Sequence, residues 1–135
     1  MSTAHPHRAL AARLGRDTIA AVIADFYGRA RRDPDLGPTF AQVRDWDAVK
    51  ARIAHFWWLD LGGERYRGDT YNPHTVHRHF GVRPEQVDPW LRLFEATLRD
   101  HLPPDDADIW LARARRMADW VRTELQNPTV RKKEP

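Results

Sequence analysis

The stretch Asn72-Pro73-His74-Thr75-Val76-His77-Arg78-His79-Phe80-Gly81-Val82, followed eight residues on by Trp90-Leu91-Arg92-Leu93-Phe94, decides how this chain is read. Asn72-Pro73 is a helix start, with Asn as cap and Pro in the first turn, and Gly81 is a natural stop. The pattern predicts a short helix carrying His77 towards its end. Pro84 then opens a second helix with Val87, Trp90, Leu91, Phe94 and Leu98 on one side. Downstream, Pro103-Pro104 breaks that helix, and Asp105 or Asp106 can cap a long last one bearing Ile109, Trp110, Ala114, Met117, Trp120, Val121 and Leu125. Asn127-Pro128 ends it.

Upstream the pattern is helical as well. Residues 63–72 have no period and read as a loop. Before them Asp45 can cap a helix with Trp46, Val49, Ile53, Phe56 and Trp57 on one face, closed by Gly62-Gly63. Phe40 falls in a short connector after Asp33-Pro34-Asp35-Leu36-Gly37-Pro38. Earlier still, Asp17 can cap a helix whose apolar residues Ile19, Val22, Ile23, Phe26, Tyr27 and Ala30 keep helical spacing. No strand alternation, repeat or phosphate-binding glycine loop is visible. The expected organisation is a partly helical N-terminal extension over 1–14, one all-α domain over 15–127, and a basic tail over 128–135 expected to be disordered.

Composition narrows the function classes. The chain has 135 residues, enough for one domain with a real core. It carries 22 Lys+Arg against 19 Asp+Glu, for a net charge of +3, and the basic residues are interleaved with acidic ones. That is the look of solvated helix faces, so no nucleic-acid partner is expected. With no cysteine, disulfides, thiolate metal sites and Cys nucleophiles are excluded. No apolar run is long enough to span a bilayer, and Met1-Ser2-Thr3-Ala4-His5-Pro6 lacks a signal-peptide core, so the expectation is a cytoplasmic protein with no membrane partner. Six tryptophans in so short a chain suggest a flat apolar space to be lined.

Several side chains can carry chemistry. A neutral imidazole such as His77 is a good iron ligand, and a porphyrin iron takes one axial protein ligand on each face. On spacing alone a lone helical histidine is more often a surface or capping residue. His74 and His77 can also share a zinc ion, but no further ligand at suitable spacing stands out. Tyr27 lies on an apolar stripe, so its hydroxyl needs a partner once buried; the commoner outcome is a bond to a carbonyl. Trp90 poses the same question, because an indole N–H only donates. The stripe Trp46, Val49, Ile53, Phe56, Trp57 is simple core unless a cofactor lies against it. Arg65, Tyr66 and Arg67 form a loop able to pair with carboxylates at a rim, or an ordinary solvated loop.

Together these pieces resemble a known family. Phe26-Tyr27; Arg32-Asp33-Pro34-Asp35-Leu36-Gly37-Pro38-Thr39-Phe40; Trp46 with Ile53 and Phe56-Trp57; Leu61-Gly62-Gly63 with Tyr66-Arg67-Gly68; His77 thirteen residues before Trp90; and Trp90-Leu91-Arg92-Leu93-Phe94-Glu95-Ala96-Thr97-Leu98 are similar, in this order, to the truncated haemoglobins of the third group. The likeness runs from about residue 17 to 125. It implies a truncated globin, a two-over-two helical sandwich around one haem b (iron protoporphyrin IX). By that resemblance His77 is the proximal iron ligand, Tyr27 and Trp90 are the distal donors, and Phe40 packs against the porphyrin. Phe26, Trp46, Ile53, Phe56, Trp57, Val82 and Phe94 would line the cofactor. Tyr66, with Arg65 or Arg67, would approach the propionates, and His74 or His79 are rivals of His77 for the iron.

Val49 departs from the pattern, since many relatives place a distal histidine there. Valine neither ligates iron nor donates a hydrogen bond, which leaves ligand stabilisation to Tyr27 and Trp90 and disfavours peroxidase turnover. The implied function is reversible binding of dioxygen, nitric oxide or carbon monoxide at a His-ligated iron, with an electron-donating reductase as a further partner. The competing reading is a haem-free helical interaction module whose aromatics are core.

Overall fold

The computed structural model describes residues 6–68 and 82–126. His74, His77, His79, the expected helix over 72–81 and the basic tail lie outside the described residues. Six α-helices occupy the rest: α1 (Leu10–Leu14), α2 (Arg16–Arg32), α3 (Gly37–Phe40), α4 (Trp46–Asp60), α5 (Val87–His101) and α6 (Pro104–Gln126). Short 3-10 turns at Pro6–Ala9 and Pro84–Gln86 precede α1 and α5.

Helix starts differ from expectation by a residue or two, for local reasons. Gly15, at a φ of 84°, both ends α1 and opens α2: its N–H reaches Ala11 O at 2.8 Å and its carbonyl accepts from Ile19 at 3.2 Å. Asp17 therefore sits inside the first turn, where its charge favours the helix dipole, rather than at the cap. In the same way α6 begins at Pro104, with Asp105 and Asp106 in its first turn and the Pro103 carbonyl accepting from Ala107 at 2.9 Å. Phe40 belongs to a helical turn instead of a connector; Asp33 Oδ1 accepts from the amides of Asp35 and Leu36 at 2.8 and 3.1 Å and bends the chain into it. Asp45 does cap α4, its carboxylate accepting from Ala48 N at 3.1 Å.

The α2 stripe of Ile19, Val22, Ile23, Phe26, Tyr27 and Ala30 is buried as its spacing requires. It packs on α4 and on α5, and α5 packs on α6, giving two helix pairs laid one over the other. Among the described residues this is the all-α, two-over-two arrangement that the sequence led us to expect. Phe94 is the hub of the core: its ring stacks on Trp90 (centroids 5.0 Å, 10° between planes) and on Trp57 (5.8 Å, 25°). Phe26 and Trp110 meet it edge-on at 5.0 and 5.8 Å. Offset and T-shaped pairs of this kind contribute about 0.5–1.5 kcal/mol each beyond the area they bury.

The N-terminal segment is tied into the same core. Leu10 and Ala11 are buried, and the Ala11 amide donates to Leu61 O at 2.9 Å. Gly62 permits this approach: it has a φ of 100°, and a Cβ there would fall on the Arg8 carbonyl oxygen. Ion pairs lace the helices from outside, including a two-pronged Arg113–Asp60 pair at 2.9 and 3.0 Å between α6 and α4.

Candidate functional site

Where α2, α3 and α4 meet the turn before α5 and the second half of α6, the packing leaves a cleft of about 830 Å³, counting the part open to solvent. From the first three helices come Tyr27, Phe40, Trp46, Val49 and Ile53, and Trp90 of α5 joins them. From the other flank come Val82, Val87, Met117, Ala118 and Val121. The lining is apolar and aromatic almost throughout.

Three aromatic rings form one end. Tyr27 lies 5.6 Å from Phe40 at 90° and 5.8 Å from Trp46, and Phe40 and Trp46 are 5.6 Å apart. The Arg31 guanidinium covers the outer side of Trp46, 4.8 Å from the ring centroid. Burial drives the Tyr27 phenol pKa well above its ordinary value, against a smaller opposing effect from the Trp90 indole. The phenol therefore keeps its proton and stays a donor. Apart from Tyr27, no described residue on the cleft wall ionises, and none of them is a carboxylate, an imidazole or an amine.

Seven of the expected site residues thus line one cleft: Tyr27, Phe40, Trp46, Val49, Ile53, Val82 and Trp90. Phe26, Trp57 and Phe94 stand behind it as fully packed core, and Phe56 leans edge-on against Trp57 at 5.1 Å. The loop residues are elsewhere. Tyr66 packs on His55 (4.5 Å) and Trp58 (6.1 Å), with the Arg16 guanidinium 3.7 Å over its ring. Arg65 Nη1 donates to Arg67 O at 3.4 Å. His74 and His77 lie outside the described residues, among which no cluster of His, Asp and Glu can hold a metal ion.

Sequence reading missed the polar members. Gln86 and Thr39 line the cleft, hydrogen-bonded to each other at 2.7 Å. The signal for Gln86 was its place three residues after Arg83, where its Oε1 closes a capping box on the Arg83 amide at 2.8 Å. Met117 and Val121 were legible as an apolar stripe, but not as cleft wall. His55 is only 3 % exposed, and its Nε2 accepts from the Tyr66 amide at 3.2 Å, which pins the loop after α4.

A haem suits this wall: its described residues are apolar and aromatic for the most part, carry no charge, and include a phenol and an indole as donors. The comparisons with known proteins point the same way. Residues 12–123 match the family model for bacterial-like globins. The chain is 33% identical over 120 residues to the group 3 truncated hemoglobin ctb of Campylobacter jejuni subsp. jejuni serotype O:2, a match spanning 83% of this chain and 91% of that protein. The crystal structure of group III truncated hemoglobin from Campylobacter jejuni aligns with a TM-score of 0.67 at 29% identity, over 82% of this chain and 91% of the other.

Proposed function

Because this chain belongs to the bacterial-like globins and, within them, to the group III truncated haemoglobins, and so is a haem-binding globin, we propose that it reversibly binds dioxygen or another diatomic gas on a haem b held by His77. Bound haem supplies the iron to which the gas coordinates and the accompanying redox chemistry. The chain's own residues do the rest. Phe40, Trp46, Val49 and Ile53 give the macrocycle apolar contact and keep water out. Tyr27 and Trp90 supply hydrogen-bond donors for a polarised ligand, which favour bound dioxygen over an apolar diatomic.

One observation carries this reading. A phenol held protonated by burial, with an indole on the same wall, opens on an apolar cleft that has no other ionisable group among the described residues. Such a wall stabilises a polar guest, and its described residues offer no base. Peroxide cleavage, which uses a distal base to move a proton, is therefore disfavoured. Nitric oxide and carbon monoxide are further candidate ligands, and an electron-donating reductase is proposed as the partner that keeps the iron ferrous. We also place the protein in the cytoplasm; among the described residues no helix is long and apolar enough to cross a membrane.

The test is the visible absorption of the purified protein as isolated, after reduction, and after exposure to carbon monoxide. An intense band near the blue edge that survives dialysis and shifts with carbon monoxide is expected. A colourless protein that unfolds cooperatively and takes up no added haem would leave the haem-free helical module as the better reading.

A further inference from the structure

Gln86 is 4 % exposed and makes hydrogen bonds in three directions. Its Nε2 donates to Thr39 Oγ1 at 2.7 Å and to Asp35 O at 3.1 Å, while its Oε1 accepts from Arg83 N at 2.8 Å. Thr39 and Asp35 belong to the bend and turn of α3, and Arg83 to the turn before α5, so one side chain joins segments that lie 47 to 51 residues apart. Both segments contribute to the cleft: Phe40 and Thr39 from α3, and Val82 and Val87 from beside the α5 turn.

We infer that Gln86 is a positioning residue of the haem site, a clamp whose amide fixes the spacing between α3 and the turn before α5 and so sets how tightly the cleft retains its cofactor. The inference rests on the haem-binding reading above. Helix α3 has four residues, too few to hold themselves in helical form, so its position depends on bonds from outside. Phe40 rides on it, against Tyr27 at 5.6 Å and Trp46 at 5.6 Å. Loosening α3 therefore moves the aromatic end of the cleft. Only an amide can do this work from one position, because it both donates twice and accepts. A carboxylate keeps the acceptor for Arg83 and loses the donor for the Asp35 carbonyl. A leucine of similar bulk loses every bond and leaves three polar groups without this partner.

The experiment compares Gln86→Leu and Thr39→Val, singly and together, by the rate at which haem passes to an excess of scavenger apoglobin. Each single change is expected to speed haem loss, Gln86→Leu by about tenfold or more, and the double variant is expected to be no faster than Gln86→Leu. Leu102→Ala serves as a control for general destabilisation, since Leu102 is buried core about 18 Å along α5 from Trp90. Amide exchange supplies a readout that does not depend on haem. At Arg83 it should quicken, relative to core amides, in Gln86→Leu, and stay slow in Gln86→Glu and in Leu102→Ala. Gln86→Glu should nonetheless lose haem faster than the parent.

Additive effects of the two substitutions would overturn the clamp. So would haem loss in Gln86→Leu no faster than in Leu102→Ala at matched stability. A parent protein that holds no haem would instead sink the haem-binding reading. The clamp is then judged on the apoprotein: coupling of the two substitutions in denaturant unfolding supports it, and independence refutes it.

Discussion

The Trp90 indole of α5 and the Tyr27 phenol of α2 line one cleft, and the indole opposes the rise that burial brings to the phenol pKa. An indole N–H only donates, and burial keeps the phenol protonated, so each group has a hydrogen to offer into the cleft. Two residues from different helices thus act as one donor pair. A hydrogen bond to a charged acceptor has a net value of about 1.5–3 kcal/mol. Tyr27→Phe should therefore speed dioxygen release about tenfold or more, measured by stopped-flow displacement. An unchanged rate would mean that the phenol does not touch the ligand. Trp90→Phe should produce a smaller acceleration, because it removes the second donor and leaves the phenol in place.

Val49 lines the same wall and carries no ligating atom. The ferrous, ligand-free protein should therefore be five-coordinate and high-spin. Val49→His, which puts an imidazole on the cleft wall, should convert part or all of it to a six-coordinate, low-spin spectrum. A low-spin bis-histidine spectrum in the unmodified protein would contradict the role given to Val49.

How far these features could be read from sequence depended on whether a residue acts through its own helix or across the fold. The α2 stripe and the Asp45 cap are local, set by spacing and by one carboxylate, and both were legible. Tyr27, Val49, Ile53 and Trp90 were named on their helices and on a family likeness, and they do share one cleft. Gln86 was not named, because its role comes from partners 47 and 51 residues away. Phe26, Trp57 and Phe94 look like cofactor contacts in a string of aromatics, yet they pack one layer behind the wall. Spacing on a helix tells which face is apolar, and not whether a second layer of side chains stands in between.

The Tyr27 phenol should not ionise with an ordinary phenol, whose pKa is about 10. Its folded-state pKa is raised, chiefly by burial. The stability that follows is fully present below the unfolded value of about 10 and is lost as pH climbs towards the folded value. An alkaline titration followed by phenolate absorbance should be the same for the parent and Tyr27→Phe up to about pH 10.5, well past the ordinary midpoint. A missing phenolate step near pH 10 in the variant would show that Tyr27 is not desolvated.

Asp25 on α2 ties that helix to α5 through Arg29, which also reaches Asp100 at 2.7 Å, and through His101 Nε2 at 2.8 Å. The hydrogen bond from Arg29, and after it that from His101, holds the Asp25 carboxyl below the usual carboxylate range. A depressed folded value means stabilisation that is present above the unfolded pKa of about 4 and fades as pH falls through the folded value. The carboxylate is partly exposed, so Asp25→Asn should cost only about 1 kcal/mol or less at neutral pH. Urea unfolding of the two proteins at pH 7 and pH 3 checks this. The gap should narrow at the lower pH, and a gap independent of pH would contradict the assignment.

His77→Gly in the reduced, carbon monoxide-saturated protein is the most direct measurement of all. The variant should lose the sharp six-coordinate carbon monoxide band of the parent and regain it when free imidazole is added. An unaltered band without imidazole would show that the iron is anchored elsewhere, and the distal roles of Tyr27 and Trp90 would then have no footing.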